Sequence, residues 1–125
     1  MSIVNIEELP ILNKEEAIEG LGGVELFESM LESFEDLSLR KNLISLKIAI
    51  DDIDYYSIRM QAHSLKGSAG YLHAERVTKI AEKLQNDIER QQADEIFKDY
   101  SMLVKQCIML KRTIRFEMLK KEGTN

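Results

Sequence analysis

The only proline of this chain stands at position 10, and none follows it through residue 125. Proline is the strongest helix breaker, costing about 3 kcal/mol in a helix interior. Nearly the whole chain is therefore free to be helical, and the apolar pattern uses that freedom. Leu26, Phe27, Met30, Leu31, Phe34 and Leu37 fall at the spacing of one helix face. The pattern continues less cleanly through Leu43, Leu46 and Ile50, which predicts a kink around Ser38 to Asn42. Ile58, Ala62, Leu65, Ala69 and Leu72 make a second stripe, and Val77, Ile80, Ala81, Leu84 and Ile88 a third. The fourth, Ile96, Tyr100, Leu103, Cys107, Leu110 and Ile114, advances by alternating steps of four and three. Stripes of this kind can bury one another. The expectation is an all-α chain: an antiparallel up-down four-helix bundle with a short additional N-terminal helix, forming one domain over residues 1–125.

Local signals place the ends. Asn13 with Glu16 three residues later resembles a capping box opening a short helix through Leu21. Gly20, Gly22 and Gly23 then break the chain before a helix starting near Val24. Asp51-Asp52-Ile53-Asp54 reads as a connection, with Asp54 capping a helix from about Tyr55 to Leu72. A turn at His73 and Ala74 follows, and the last helix is expected from about Asp94 to Lys120.

Composition removes several function classes. Six glycines and no tryptophan suit long helices better than a many-stranded sandwich. A net charge of −5 argues against a general nucleic-acid-binding surface. The basic run Lys111, Arg112, Arg115, Lys120 and Lys121 reads as a solvated face of the last helix. A single cysteine, Cys107, excludes an internal disulfide and the four-cysteine zinc patterns, and its place in an apolar stripe makes it a small core residue. The Glu-x-x-His motif of metal bundles is absent, because Met60 and Gly70 stand three residues before the two histidines. No run of about 18 apolar residues occurs, and the opening M-S-I-V-N-I-E-E-L-P is acidic where a signal peptide is basic. Cytoplasm is the expected compartment, with the nucleus open to it in a eukaryote. Met1 and the short tail favour a stand-alone protein, with an excised domain as the alternative, and a monomer is expected because one bundle can bury every stripe.

The third helix carries the chemistry. Roughly a third of a turn from its apolar stripe, Arg59, His63, Lys66, Gly67 and Gly70 form a second line. Glycine inside a helix costs about 1 kcal/mol relative to alanine, so two on one exposed face ask for a reason. Close approach of another molecule's backbone beside His63 would supply one. Taken singly, His63 is an ordinary surface histidine and the glycines mark a fraying end. In combination, His-x-x-Lys-Gly offers an imidazole nucleophile, a cation one turn away, and clear space beside it.

The run A-H-S-L-K-G-S-A-G-Y-L-H-A over residues 62–74 resembles the signature of histidine-containing phosphotransfer (HPt) domains. The likeness extends upstream through G-G-V-E-L-F-E-S-M-L-E-S-F and downstream through V-T-K-I-A-E-K-L-Q, about residues 21–92 in all. The resemblance implies a bundle that relays phosphoryl groups between receiver-domain aspartates of response regulators or hybrid histidine kinases. His63 would be phosphorylated; Lys66, Gln85 and Arg59 would stabilise the phosphoryl group. Gly67 and Gly70 would clear room for the receiver, with Met60, Tyr56, Ser64 and Ser68 as the docking surface. No kinase activity and no cofactor of the chain's own are implied; Mg²⁺ would sit on the receiver. Where the family often has glycine four residues after Ala69, this chain has His73, which bears on the turn rather than on His63. A sensor-kinase dimerisation helix fits less well, since Ser64 and Leu65 follow the histidine and no ATP-binding half is present. The rival of a different class is a non-catalytic helical adaptor that binds a signalling partner without phosphotransfer.

Overall fold

The computed structural model describes residues 5–123, and among them no strand occurs. After a 3₁₀ turn at Ile6–Glu8, helix α1 spans Lys14–Leu21, α2 Val24–Ser33, α3 Arg40–Asp51, α4 Tyr55–Tyr71, α5 Glu75–Glu89 and α6 Ala93–Gly123. Asn13 caps α1 by accepting the Glu16 amide, and Asp54 caps α4 by accepting the Ser57 amide at 3.1 Å and the Ser57 hydroxyl at 2.7 Å. Each cap satisfies an amide that the first turn of a helix leaves without a carbonyl.

Between α2 and α3 the chain stays helical but widens into a π-helical turn, Phe34–Leu39, so that residues 24–51 form one continuous rod. The irregularity begins four residues before the kink expected at Ser38, and it re-phases the apolar stripe. A π turn takes about one residue more than an α turn, so the inward position after Phe34 is Leu39. Leu37, expected in the core, is 68% exposed, whereas Leu39 is buried; Leu26, also expected inside, is exposed beside buried Phe27. Beyond the turn Leu46, Ala49 and Ile50 carry the stripe onward.

The rod packs on α4, α4 on α5 and α5 on α6, while α2 and the π turn meet α6 and close the ring. The core stripes of α4, α5 and α6 lie inside as expected, with Tyr100 and Ile88 half-buried at the margin. Three turns end with a left-handed residue that is not glycine: Ile53, His73 and Gln91, at φ of 51°, 55° and 57°. At each, paired amides reach back over the last helical turn; Ala74 N–H donates to Ala69 O at 3.0 Å and His73 N–H to Gly70 O at 3.1 Å. The amino-terminal arm clasps the α4–α5 end of the bundle. The Asn13 amide donates to His73 O at 2.9 Å, and the Arg76 guanidinium donates to the carbonyls of Leu9 and Glu7 at 2.6 and 2.9 Å.

The basic run on α6 is not only a solvated face. Arg115 pairs with Glu35 at 2.8 Å and Lys121 with Glu28 at 3.0 Å, tying α6 to the acidic flank of the rod. Pairs of this exposure are screened by solvent, so they orient the helix more than they hold it.

Candidate functional site

Helix α4 is anchored by one face and open on the other. Ile58, Ala62, Leu65 and Ala69 are fully buried, and at about 100° per residue the position opposite them is that of His63 and Gly67. Both are exposed, and a Cβ built on Gly67 meets nothing within 4 Å. The histidine therefore stands above a clear step in the helix surface. Tyr56 and Tyr71, each 71% exposed, and Met60, 41% exposed, continue the same face and surround it with apolar area.

Its flanks differ. On one side Ser64 is exposed, and the half-buried Ser68 hydroxyl donates to Ser64 O at 3.1 Å. Ser68, Tyr71 and Leu72 line a groove of about 190 Å³ with Met30, Phe34 and Ser38 of the rod. The other flank faces α5. Gly70 lies there half-buried, its Cβ position 3.9 Å from the Thr78 γ-methyl, so it packs toward a neighbouring helix while Gly67 opens to solvent. Lys66 is half-buried and has no ion-pair partner among the described residues. Arg59 has one: its Nε donates to Glu89 Oε1 at 3.0 Å. Gln85 Nε2 approaches the same oxygen at 3.5 Å, while Gln85 Oε1 is buried without a hydrogen-bond partner. Glu89 was not legible as a site residue, because it meets Arg59 only through the packing of α5 on α4.

The second histidine lies elsewhere. His73 takes the left-handed turn after α4, half-buried, and lines a cavity with Asn13, Glu16, Glu75 and Thr78 that Gly70 also borders. Cys107 is in the core as expected, its thiol pushed up to about 12 by burial and so unreactive.

Sequence reasoning also missed a buried acidic group where α5 meets α6. Asp87, Glu95 and Asp99 converge, and the Lys83 ammonium sits among them at 2.8 Å from Asp87, 2.9 Å from Asp99 and 3.4 Å from Glu95. A cation of the chain's own thus occupies the position a metal would take. Burial pushes the Asp99 carboxyl up to about 7, aided by Asp87 and opposed by Lys83. Burial also acts upward on Asp87, but hydrogen bonds from Asp99 and Lys83 hold it below the usual carboxylate value. Asp99 Oδ2 is buried without a hydrogen-bond partner, which adds to the cost of its charged form. This group braces α5 against α6.

With that geometry in place, the family model described as Hpt domain matches residues 25–108, from the first turn of α2 to the middle of α6. The chain belongs to the Hpt-domain family. Hpt domains are phosphocarriers rather than kinases, acting in two-component phosphorelays alongside receiver domains and histidine kinases. The matched span contains all of α4, and with it His63, Lys66 and Gly67. Neither the search of curated proteins nor that of solved structures returned a match. No described helix is long and apolar enough to cross a membrane.

Proposed function

We propose that His63 is the phosphoryl acceptor of this Hpt domain and relays the group between receiver-domain aspartates of response regulators or hybrid histidine kinases. The observation that carries the reading is the pairing of an exposed imidazole with open space at Gly67 one turn away, on the face of α4 opposite its core contacts. An in-line transfer requires two proteins to bring their reacting atoms to within about 3–3.5 Å, so clearance beside the nucleophile is a condition of the chemistry.

The step balances simply. A ring nitrogen lone pair attacks phosphorus, the new N–P bond forms, and the bond from phosphorus to the aspartyl oxygen breaks. The receiver carboxylate leaves, and the ring, now cationic, can release its other N–H proton to water. The reverse step returns the group to a second aspartate. Catalysis is positioning and charge neutralisation. Lys66, with Arg59, supplies cationic donors to the phosphoryl oxygens, and the Mg²⁺ belongs to the receiver's acidic pocket. Tyr56, Met60 and Ser64 supply the contact surface on one face with His63, and Ser68 borders it.

The test is His63→Gln. The side chain is exposed, so the substitution should leave the far-ultraviolet circular dichroism spectrum and unfolding midpoint near those of the parent. Incubation with a phosphorylated receiver should give no acid-labile label on the variant. Labelling at the parental rate refutes the assignment, and label on His73 moves it to the other histidine. A parent protein that binds receivers yet never carries label would be an adaptor.

A further inference from the structure

Glu89 lies one turn beyond Gln85 on α5 and reaches across to α4, where Oε1 accepts the Arg59 Nε proton at 3.0 Å. Arg59 and Lys66 occupy the flank of α4 that faces α5, four residues before and three after His63. The Glu89 carboxylate is held below its usual value, chiefly by the Arg59 hydrogen bond against some burial, with further help from Gln85 and from the charge of Lys66. Glu89 therefore pairs with one of the two cations that flank the histidine and lies within the field of the other. Its position has a consequence for any dianion placed on His63, because the same two cations are the nearest source of neutralising charge on α4.

Resting on the reading of His63 as phosphoryl acceptor, we propose that Glu89 is a resident counter-anion that competes with the phosphoryl group for Arg59 and so limits the stability of the phosphohistidine. The competition need not be all-or-none. Arg59 gives Glu89 its Nε proton and has four further N–H donors, so the phosphoryl oxygens and the carboxylate share one guanidinium. Sharing weakens each bond and leaves the carboxylate repelling the dianion. A carrier benefits from that arrangement: a phosphoryl group held too firmly would not be passed on.

The experiment uses phosphoramidate, a small donor that needs no docking surface. The ring nitrogen forms the N–P bond, the donor's P–N bond breaks, and ammonia leaves while the positive charge passes to the ring. At fixed phosphoramidate and ammonia concentrations, ³¹P NMR reads the equilibrium ratio of phosphorylated to free His63. Glu89→Gln removes the charge at constant size and should raise that ratio roughly three- to tenfold, the range expected for an exposed charge acting on partly screened neighbours. Glu89→Asp should stay near the parent, and in an Arg59→Met background the gain from Glu89→Gln should shrink by roughly half or more. A merely structural ion pair would shift the unfolding midpoint and leave the ratio alone. The proposal is overturned by a Glu89→Gln ratio within roughly twofold of the parent, or below it, with label on His63. If the parent takes no label on His63, the phosphotransfer reading itself fails and this inference falls with it.

Discussion

Gly67→Gln separates folding from transfer, because the two should move in opposite directions. Gly67 lies inside α4, four residues before its last residue Tyr71, and a Cβ there meets nothing within 4 Å. Glutamine is a better helix former than glycine by about 0.5–0.8 kcal/mol, and no steric term opposes the gain. For a chain of 125 residues that raises the unfolding midpoint by roughly 2–4 °C. The new side chain, however, rises one turn from His63 into the space a receiver must enter. A displacement of the reacting groups by about 1 Å can cost on the order of a hundredfold in rate. Transfer from a phosphorylated receiver should therefore fall by about that factor, while labelling by phosphoramidate stays near the parental rate. Gly67→Ala, adding one methyl, should show the stability gain with a smaller kinetic loss. Parental transfer from the receiver would refute clearance as the role of Gly67. A lowered midpoint would refute the open-space reading of the helix itself.

Two further outcomes test the frame around the site. Burial pushes the Asp99 carboxyl up to about 7 against 3.8 ordinarily, so between those values the folded state holds a proton that the unfolded chain has released. Its stabilising contribution is complete below 3.8 and is lost as pH rises through about 7. Asp99→Asn should flatten that decline, read as urea midpoints at about pH 5 and about pH 8; a parental profile already flat across this window would show the carboxylate ionised throughout. Ile53 is β-branched at φ 51°, a conformation costing a non-glycine residue roughly 1–2 kcal/mol. After the entropy glycine adds to the unfolded chain, Ile53→Gly should gain about 0.5–1 kcal/mol by chemical denaturation; a loss would show that the packed part of Ile53 outweighs the strain.

Much of the bundle was legible in the sequence, for a geometric reason. Within one helix the direction of every side chain follows from about 100° per residue, so the stripes led by Ile58, Val77 and Ile96 could be assigned to the core without knowing what they pack against. The same rule put His63, Lys66 and Gly67 together, since residues three and four apart share a face. The caps at Asn13 and Asp54 were legible because a capping side chain meets amides only two or three residues away.

What the periodicity could not supply begins where one helix meets another. Leu37 and Leu39 exchange places because a π turn at Phe34–Leu39 lets the rod keep its face on α4 and α6, and that choice belongs to the packed bundle. His73 takes a left-handed turn that glycine would take more readily, held by the amide of Ala74 and by the arm that reaches its carbonyl through Asn13. Glu89 is 30 residues from Arg59 along the chain, and Asp99 is 16 from Lys83. Nothing local distinguishes these acids from the other carboxylates of the sequence. Their partners are set by the register in which α5 packs against α4 and α6, and that register is a property of all the buried contacts acting together rather than of any short stretch of sequence.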